Sequence, residues 1–141
     1  KKGAKRSLLC DANGVPLGLA HDGANRHDSK LLAATLASVP VPRPRPTRRR
    51  PQGLCLDRGY DYPWVHAWVA EQGLTGHREK LRDPDWRARR WVVEACHSWL
   101  NRNRALLIRW SKKPCNHLAL LQLACGLIAF KKARKAELAH A

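Results

Sequence analysis

Gly53-Leu54-Cys55-Leu56-Asp57-Arg58-Gly59-Tyr60-Asp61 is the stretch on which the reading of this chain turns. Its apolar run predicts a short strand over 52–57, and Arg58-Gly59 supplies the turn that ends it. Asp57 therefore sits at the carboxyl end of a strand, where mixed sheets expose ligand-binding side chains because the chain turns away and leaves a crevice. A helix over 62–72 follows, with Asp61 as its cap, Pro63 in its first turn and Gly73 past its end. A weaker strand is expected over 74–77.

Upstream, Ser7-Leu8-Leu9-Cys10-Asp11-Ala12 and Val15-Pro16-Leu17-Gly18-Leu19-Ala20 flank Asn13-Gly14, the pair that most readily supplies two positive φ angles in a tight hairpin. Asp28 can cap a short helix from Ser29, with Leu31, Leu32, Thr35 and Leu36 on one side and Pro40 as its stop. Segment 39–51 holds five prolines together with Arg43, Arg45, Arg48, Arg49 and Arg50. It can be neither a central strand nor a helix, and reads as an exposed basic loop.

Downstream, a long helix is expected over 84–110, with Asp83 as its cap. Its buried face would be Val92, Val93, Cys96, Trp99, Leu100, Leu106, Leu107 and Trp110, a stripe that Asn103 interrupts. A last helix over 117–130, apolar around most of its circumference, reads as buried and ends in Lys131-Lys132-Ala133-Arg134-Lys135, which suits the helix dipole. Strands first, then strands and helices alternating, then helices, predict a mixed α/β layer fold in one domain, 1–141, without internal repeats.

The bulk composition limits function. With 27 Lys+Arg against 11 Asp+Glu and a formal net charge of +16, the 141-residue chain is built to sit on a polyanion. Acids facing that polyanion repel it unless a cation intervenes. The absence of Met and the opening Lys1-Lys2-Gly3 suggest a fragment. The five cysteines, odd in number and never paired as CxxC, read as reduced core thiols of a cytosolic protein. The apolar stretch 118–130 falls short of the about 20 residues that cross a bilayer, and neither a signal peptide nor zinc-ligand spacing is evident.

Arg90, Glu94, His97 and Asn101, spaced by four, three and four residues, share one flank of the long helix. A strand-end Asp57 and a helix-borne Glu94 can converge at the sheet edge. Their hard oxygens suit Mg2+ or Mn2+, yet phosphodiester cleavage by two metals about 3.5–4 Å apart needs more carboxylates than two. Plainer roles stand beside these. Asp57 could satisfy turn donors, and Glu94 could pair with Arg90. Likewise His97 and Asn101 could be solvated helix residues, Asp61 a cap, Trp91, Trp99 and Trp110 core anchors, and the arginine loop a solvated linker.

Leu56-Asp57-Arg58-Gly59-Tyr60-Asp61, then Arg90-Trp91-Val92-Val93-Glu94 running into Ser98-Trp99-Leu100-Asn101-Arg102, with Gly23-Ala24-Asn25-Arg26-His27-Asp28-Ser29 upstream, resemble the DDE transposases of bacterial insertion sequences. The likeness spans almost the whole chain, and its most specific part is the ordered pair of motifs. It implies an RNase H-like α/β fold, a mixed sheet flanked by helices, in which two aspartates and a glutamate bind Mg2+ (or Mn2+), cut DNA at the element's ends and join it to a target. By motif, Asp57 resembles the second aspartate and Glu94 the final glutamate. The first aspartate has no counterpart. In the family it lies on a strand preceding the opening hairpin, so the fold is expected to be incomplete at its N-terminus.

The departures are Arg87 and Asn101, where the family often has Tyr and Lys, and Ala95, where close relatives place Arg. The resemblance thus implies a metal-dependent strand-transfer enzyme inactive as this fragment alone, or else an inactive DNA-binding remnant. Expected partners are double-stranded DNA and a second copy in a homodimer, in the bacterial cytoplasm at the nucleoid, with no membrane. Arg43, Arg45, Arg48, Arg49, Arg50, Arg58, Arg90, His97, Asn101 and Arg102 are the candidate DNA contacts.

Overall fold

A computed structural model describes residues 3–78 and 90–140. The chain opens on a hairpin in which Ala4–Cys10 (β1) pairs antiparallel with Pro16–Gly23 (β2), Ala4 facing Gly23 and Leu9 facing Gly18. The tip differs from the expected two-residue turn. Gly14 alone has positive φ there, 78°, and the side chain of Asp11 closes the loop by accepting from the amides of Asn13 (2.9 Å) and Val15 (2.8 Å). Three residues between Asp11 and Val15 ending in a left-handed glycine make the bulged kind of hairpin, and the register shifts at Cys10 accordingly.

Alternation along β1 divides the hairpin into two faces. Ser7 and Leu9 look toward the short helix Leu32–Ala37 (α1), where the hydroxyl of Thr35 donates to that of Ser7 at 2.8 Å. Gly18 is required on this face, because a Cβ there would run into the carbonyl oxygen of Thr35. The cap of the preceding 3-10 turn, Asp28–Leu31, is His27 and not Asp28. Its ring nitrogen accepts from the Ser29 amide, while Asp28 forms an ion pair with Lys5 at 3.1 Å.

After the exposed 39–51 segment, Gly53–Leu56 (β3) runs parallel to Thr75–Arg78 (β4), joined through a 3-10 turn, Arg58–Tyr60, and the helix Pro63–Glu71 (α2). Pro63 occupies the first turn and Gly73, at φ 69°, ends the element, as expected. The N-cap is Tyr62, however, with no capping side chain; Asp61 reaches past it to the ring of His66 at 2.9 Å. Val65 and Val69 are fully buried against Leu32 and Leu54 in one core cluster.

The long helix is shorter in its described part than expected. Its start and the Asp83 cap lie outside the described residues. Arg90–Asn101 (α3) stops at Arg102-Asn103, and Arg104–Leu107 (α4) restarts after Asn103, whose carbonyl accepts from the amides of Leu106 and Leu107. Extended backbone at Asn103 breaks the helix, so the stripe does not continue around one axis. Leu106 is buried, whereas Leu107 and Trp110 are exposed, as is Trp91 on α3.

The last helix spans Pro114–His140 (α5), longer than expected at both ends, and only one face of it is covered. Leu121 and Ala124 pack with Leu19, Leu100 and Leu106, while Leu123, Leu127 and Phe130 face outward. The uncharged run 117–130 is thus not buried on all sides here. Lys132 fastens α5 to the hairpin, donating to the Asn13 carbonyl at 2.6 Å and lying 4.4 Å from the Trp99 ring centroid. All five cysteines are free. Cys96 is buried, Cys10 and Cys125 partly so, but Cys55 and Cys115 are exposed, contrary to a uniform core role. The described residues form a mixed α/β structure with two small sheets, β1-β2 and β3-β4.

Candidate acid pair and nucleic-acid interface

Asp57 stands at the carboxyl end of β3, exposed, and caps the next 3-10 turn by accepting from the Arg58 amide at 2.6 Å. That turn lies against the hairpin. Tyr60 sits close to the hydroxyl of Ser7 on β1, and burial raises its phenol above the ordinary value; the Ser7 hydroxyl opposes that rise, and nearby Asp28 and Asp57 add to it. The packing therefore gathers Asp28 and Asp57 around one tyrosine. Sequence reasoning treated Asp28 as a helix cap and could not see this long-range approach.

Glu94 is exposed on α3. Its neighbours on the same flank turn toward β1: Asn101 Oδ1 accepts from Arg6 at 2.8 Å, and His97 is half-buried beside that guanidinium. The α3 flank thus meets β1 at Arg6, and the turn carrying Asp57 meets it at Ser7, the adjacent residue on the opposite face. Arg6, His21 and His117 form a polar layer there, with His21 and His117 ring centroids 5.1 Å apart. Burial lowers the pKa of His21, His97 and His117; for His117 the further causes are His21, Arg109 and Arg6. These imidazoles are held neutral.

Carboxylate oxygens are the right donors for Mg2+ or Mn2+, but two fall short of a cage. Among the described residues no group of three or more His, Cys, Asp or Glu is placed to hold a metal ion. Burial pushes Cys10 and Cys125 up to about 11, which leaves those two thiols poor ligands.

Of the candidate DNA contacts, Arg45, Arg48, Arg49 and Arg50 are exposed on the basic loop, and Arg43 is exposed there while donating to the Gln72 carbonyl. Arg58 and Arg102 are exposed as well. The side chain of Arg90 lies outside the described residues. Missed at the sequence level is a row of rings, His27 against Tyr62 and Tyr62 against Trp64. The available signal was the Tyr62-Pro63-Trp64 triplet at a helix start.

Residues 1–128 match the family described as "Transposase DDE domain", and the chain belongs to that family, the DDE-type transposases of insertion sequences. It is similar to a Burkholderia cepacia protein named "Putative transposase for insertion sequence element IS402", 32% identical over 142 residues that cover 97% of this chain and 67% of that protein. No solved structure matches. No described helix is long and apolar enough to cross a membrane.

Proposed function

We propose that this chain is the carboxyl-terminal part of an RNase H-like transposase catalytic domain that cuts double-stranded DNA at insertion-sequence ends and transfers the strand to a target. The observation that carries the reading is the sheet arrangement. Among the described residues β1 pairs with β2 alone and β3 with β4 alone, yet Leu9 of β1 packs into the cluster built on Leu54 of β3. One central strand, preceding β1 and bearing the first aspartate, would join the two sheets and bring a third acid beside Asp57.

In this reading Asp57 and Glu94 hold Mg2+ or Mn2+ together with that acid. A divalent ion there supplies Lewis-acid polarisation of the scissile phosphate. The acids also keep bare phosphate away from the site, while Arg43, Arg45, Arg48, Arg49, Arg50, Arg58, Arg90 and Arg102 position the duplex by its backbone. His97 and Asn101 complete the flank. Two DNA ends call for a homodimer, working at the nucleoid in the cytoplasm.

The test is nicking of supercoiled plasmid with Mg2+. The chain alone is expected to be inactive, and an extended form with the upstream strand active, with Asp57→Asn or Glu94→Gln abolishing the activity. Robust cleavage by the chain alone, or activity surviving in either variant, overturns the reading. A second reading, an inactive DNA-binding remnant, rests on Ala95 and Asn101 standing where the family has cations, and it predicts no nicking by the extended form either.

A further inference from the structure

The basic segment 39–51 is fixed at its stem and exposed at its tip. Arg43 donates to the Gln72 carbonyl at the end of α2, and Pro46 lies beside Gly73. On the returning side the Gln52 amide reaches back to the Pro44 carbonyl at 2.7 Å, while the Gln52 carbonyl accepts from the Thr75 amide at 2.8 Å. At the tip Thr47 and Arg50 exchange both backbone hydrogen bonds, 3.2 and 3.0 Å, and the Thr47 hydroxyl also accepts from the Arg50 amide. Arg48 and Arg49 are thus the two central residues of a closed turn. Pro46 and Pro51 bracket it, so little chain freedom is left to lose on binding. Arg45, Arg48, Arg49 and Arg50 are exposed and enter none of the ion pairs among the described residues.

The composition of the segment narrows what the turn can meet. A phosphate accepts any cation, and lysine serves it as a point charge. Yet the segment holds five arginines with neither lysine nor acid, whereas the stretch 131–135 carries Lys131, Lys132 and Lys135 beside a single arginine, Arg134. Guanidinium is more weakly hydrated than ammonium, so it loses less on leaving water for a confined, negatively charged slot. The minor groove of a duplex is such a slot, about 6 Å wide, and A·T tracts narrow it further and deepen its negative potential. A two-residue turn offering two guanidinium forks matches that width, while the major groove, about 12 Å wide, takes a whole helix or β-ribbon.

We propose that Arg48 and Arg49 enter the minor groove of the duplex and select tracts in which A·T pairs narrow it, with Arg45 and Arg50 on the flanking phosphates. The stem sits at the amino ends of β3 and β4, and Asp57 at the carboxyl end of β3, four residues or about 13 Å away. The groove that is read is therefore not the one at the phosphodiester facing the acids. The inference deepens the proposed function by adding a sequence preference to backbone contact, rests on the DNA-binding part of that reading, and requires no metal.

The experiment measures affinity of the full chain, in EDTA and at fixed salt, for three labelled duplexes of equal length that differ only in a central tract of A·T, G·C or inosine·C pairs. Inosine·C shows the major-groove edge of G·C but lacks the amino group in the minor groove, so it separates the two grooves. Wild type is expected to bind the A·T and inosine·C duplexes alike and about tenfold tighter than the G·C duplex, the scale of one good base-edge contact. The double variant Arg48→Lys, Arg49→Lys keeps the charge on an exposed turn. It should reduce the preference to within about twofold and leave affinity for the G·C duplex unchanged. Inosine·C behaving like G·C, equal affinity for all three duplexes, or full preference in the lysine variant overturns the minor-groove inference and leaves the proposed function standing. Absence of binding to every duplex overturns both.

Discussion

Gly14 is the residue on which the hairpin tip depends. Its φ of 78° belongs to the left-handed region, and a Cβ there would sit 3.3 Å from the ring of Trp99. Gly14→Ala is expected to destabilise the fold by roughly 1–2 kcal/mol from the backbone term, seen as a lower urea midpoint at unchanged slope. The neutral imidazoles give a pH dependence of definite sign. With His21, His97 and His117 held below the ordinary value of 6.5, the unfolded chain takes up protons before the folded one does. Stability is therefore full above that value and falls as the pH drops through it. Urea midpoints at pH 7.5 and 5.5 should show the loss, and His117→Gln should shrink it. The histidine environments were not legible in the sequence, since they come from strands and helices far apart in the chain. Turn chemistry was local and half-legible: Asn13-Gly14 marked the place, but the carboxylate of Asp11 decided the turn type.

Among the elements, those defined by short-range signals were read well. The strand β3, the Pro63 start and Gly73 end of α2, and the exposed proline-arginine segment all follow from residues within a few positions of each other. The failures have one cause, that periodicity shows which face is apolar but not whether anything covers it. Asn103 ended α3 early and released Leu107 and Trp110 to the surface, and α5 was expected to be enclosed when one side lies open. That asymmetry is measurable. Leu121→Ala, in a fully buried position, should cost about 2–5 kcal/mol, whereas Leu127→Gln on the open side should stay within about 0.5 kcal/mol, both by urea unfolding. Asp57 was legible because a strand end is a sequence-local event. The approach of Asp28 to it was not, because it needs the packing of one 3-10 turn on another.

At the scale of the molecule, charge is the property most directly read from composition, and it predicts binding that weakens steeply with salt. Replacing Arg48, Arg49 and Arg50 together with Ala should lower duplex affinity. It should also reduce the slope of log K against log salt by about 0.9 for each phosphate that the loop no longer neutralises. An unchanged slope would show that the loop points away from DNA. Formal charge nevertheless overstates what is free to bind, because several cations are occupied: Lys5 by Asp28, Arg26 by Asp22, Arg6 by Asn101.

Lys132 carries the point furthest. Its ammonium is spent as a clasp between the tail helix and the hairpin tip, so it cannot swing out to meet a ligand without letting go of Trp99 and Asn13. Acetylation of that one amine would loosen the helix's seat and remove a charge in the same stroke. The anchoring of the tail and its grip on a polyanion would then compete for a single side chain.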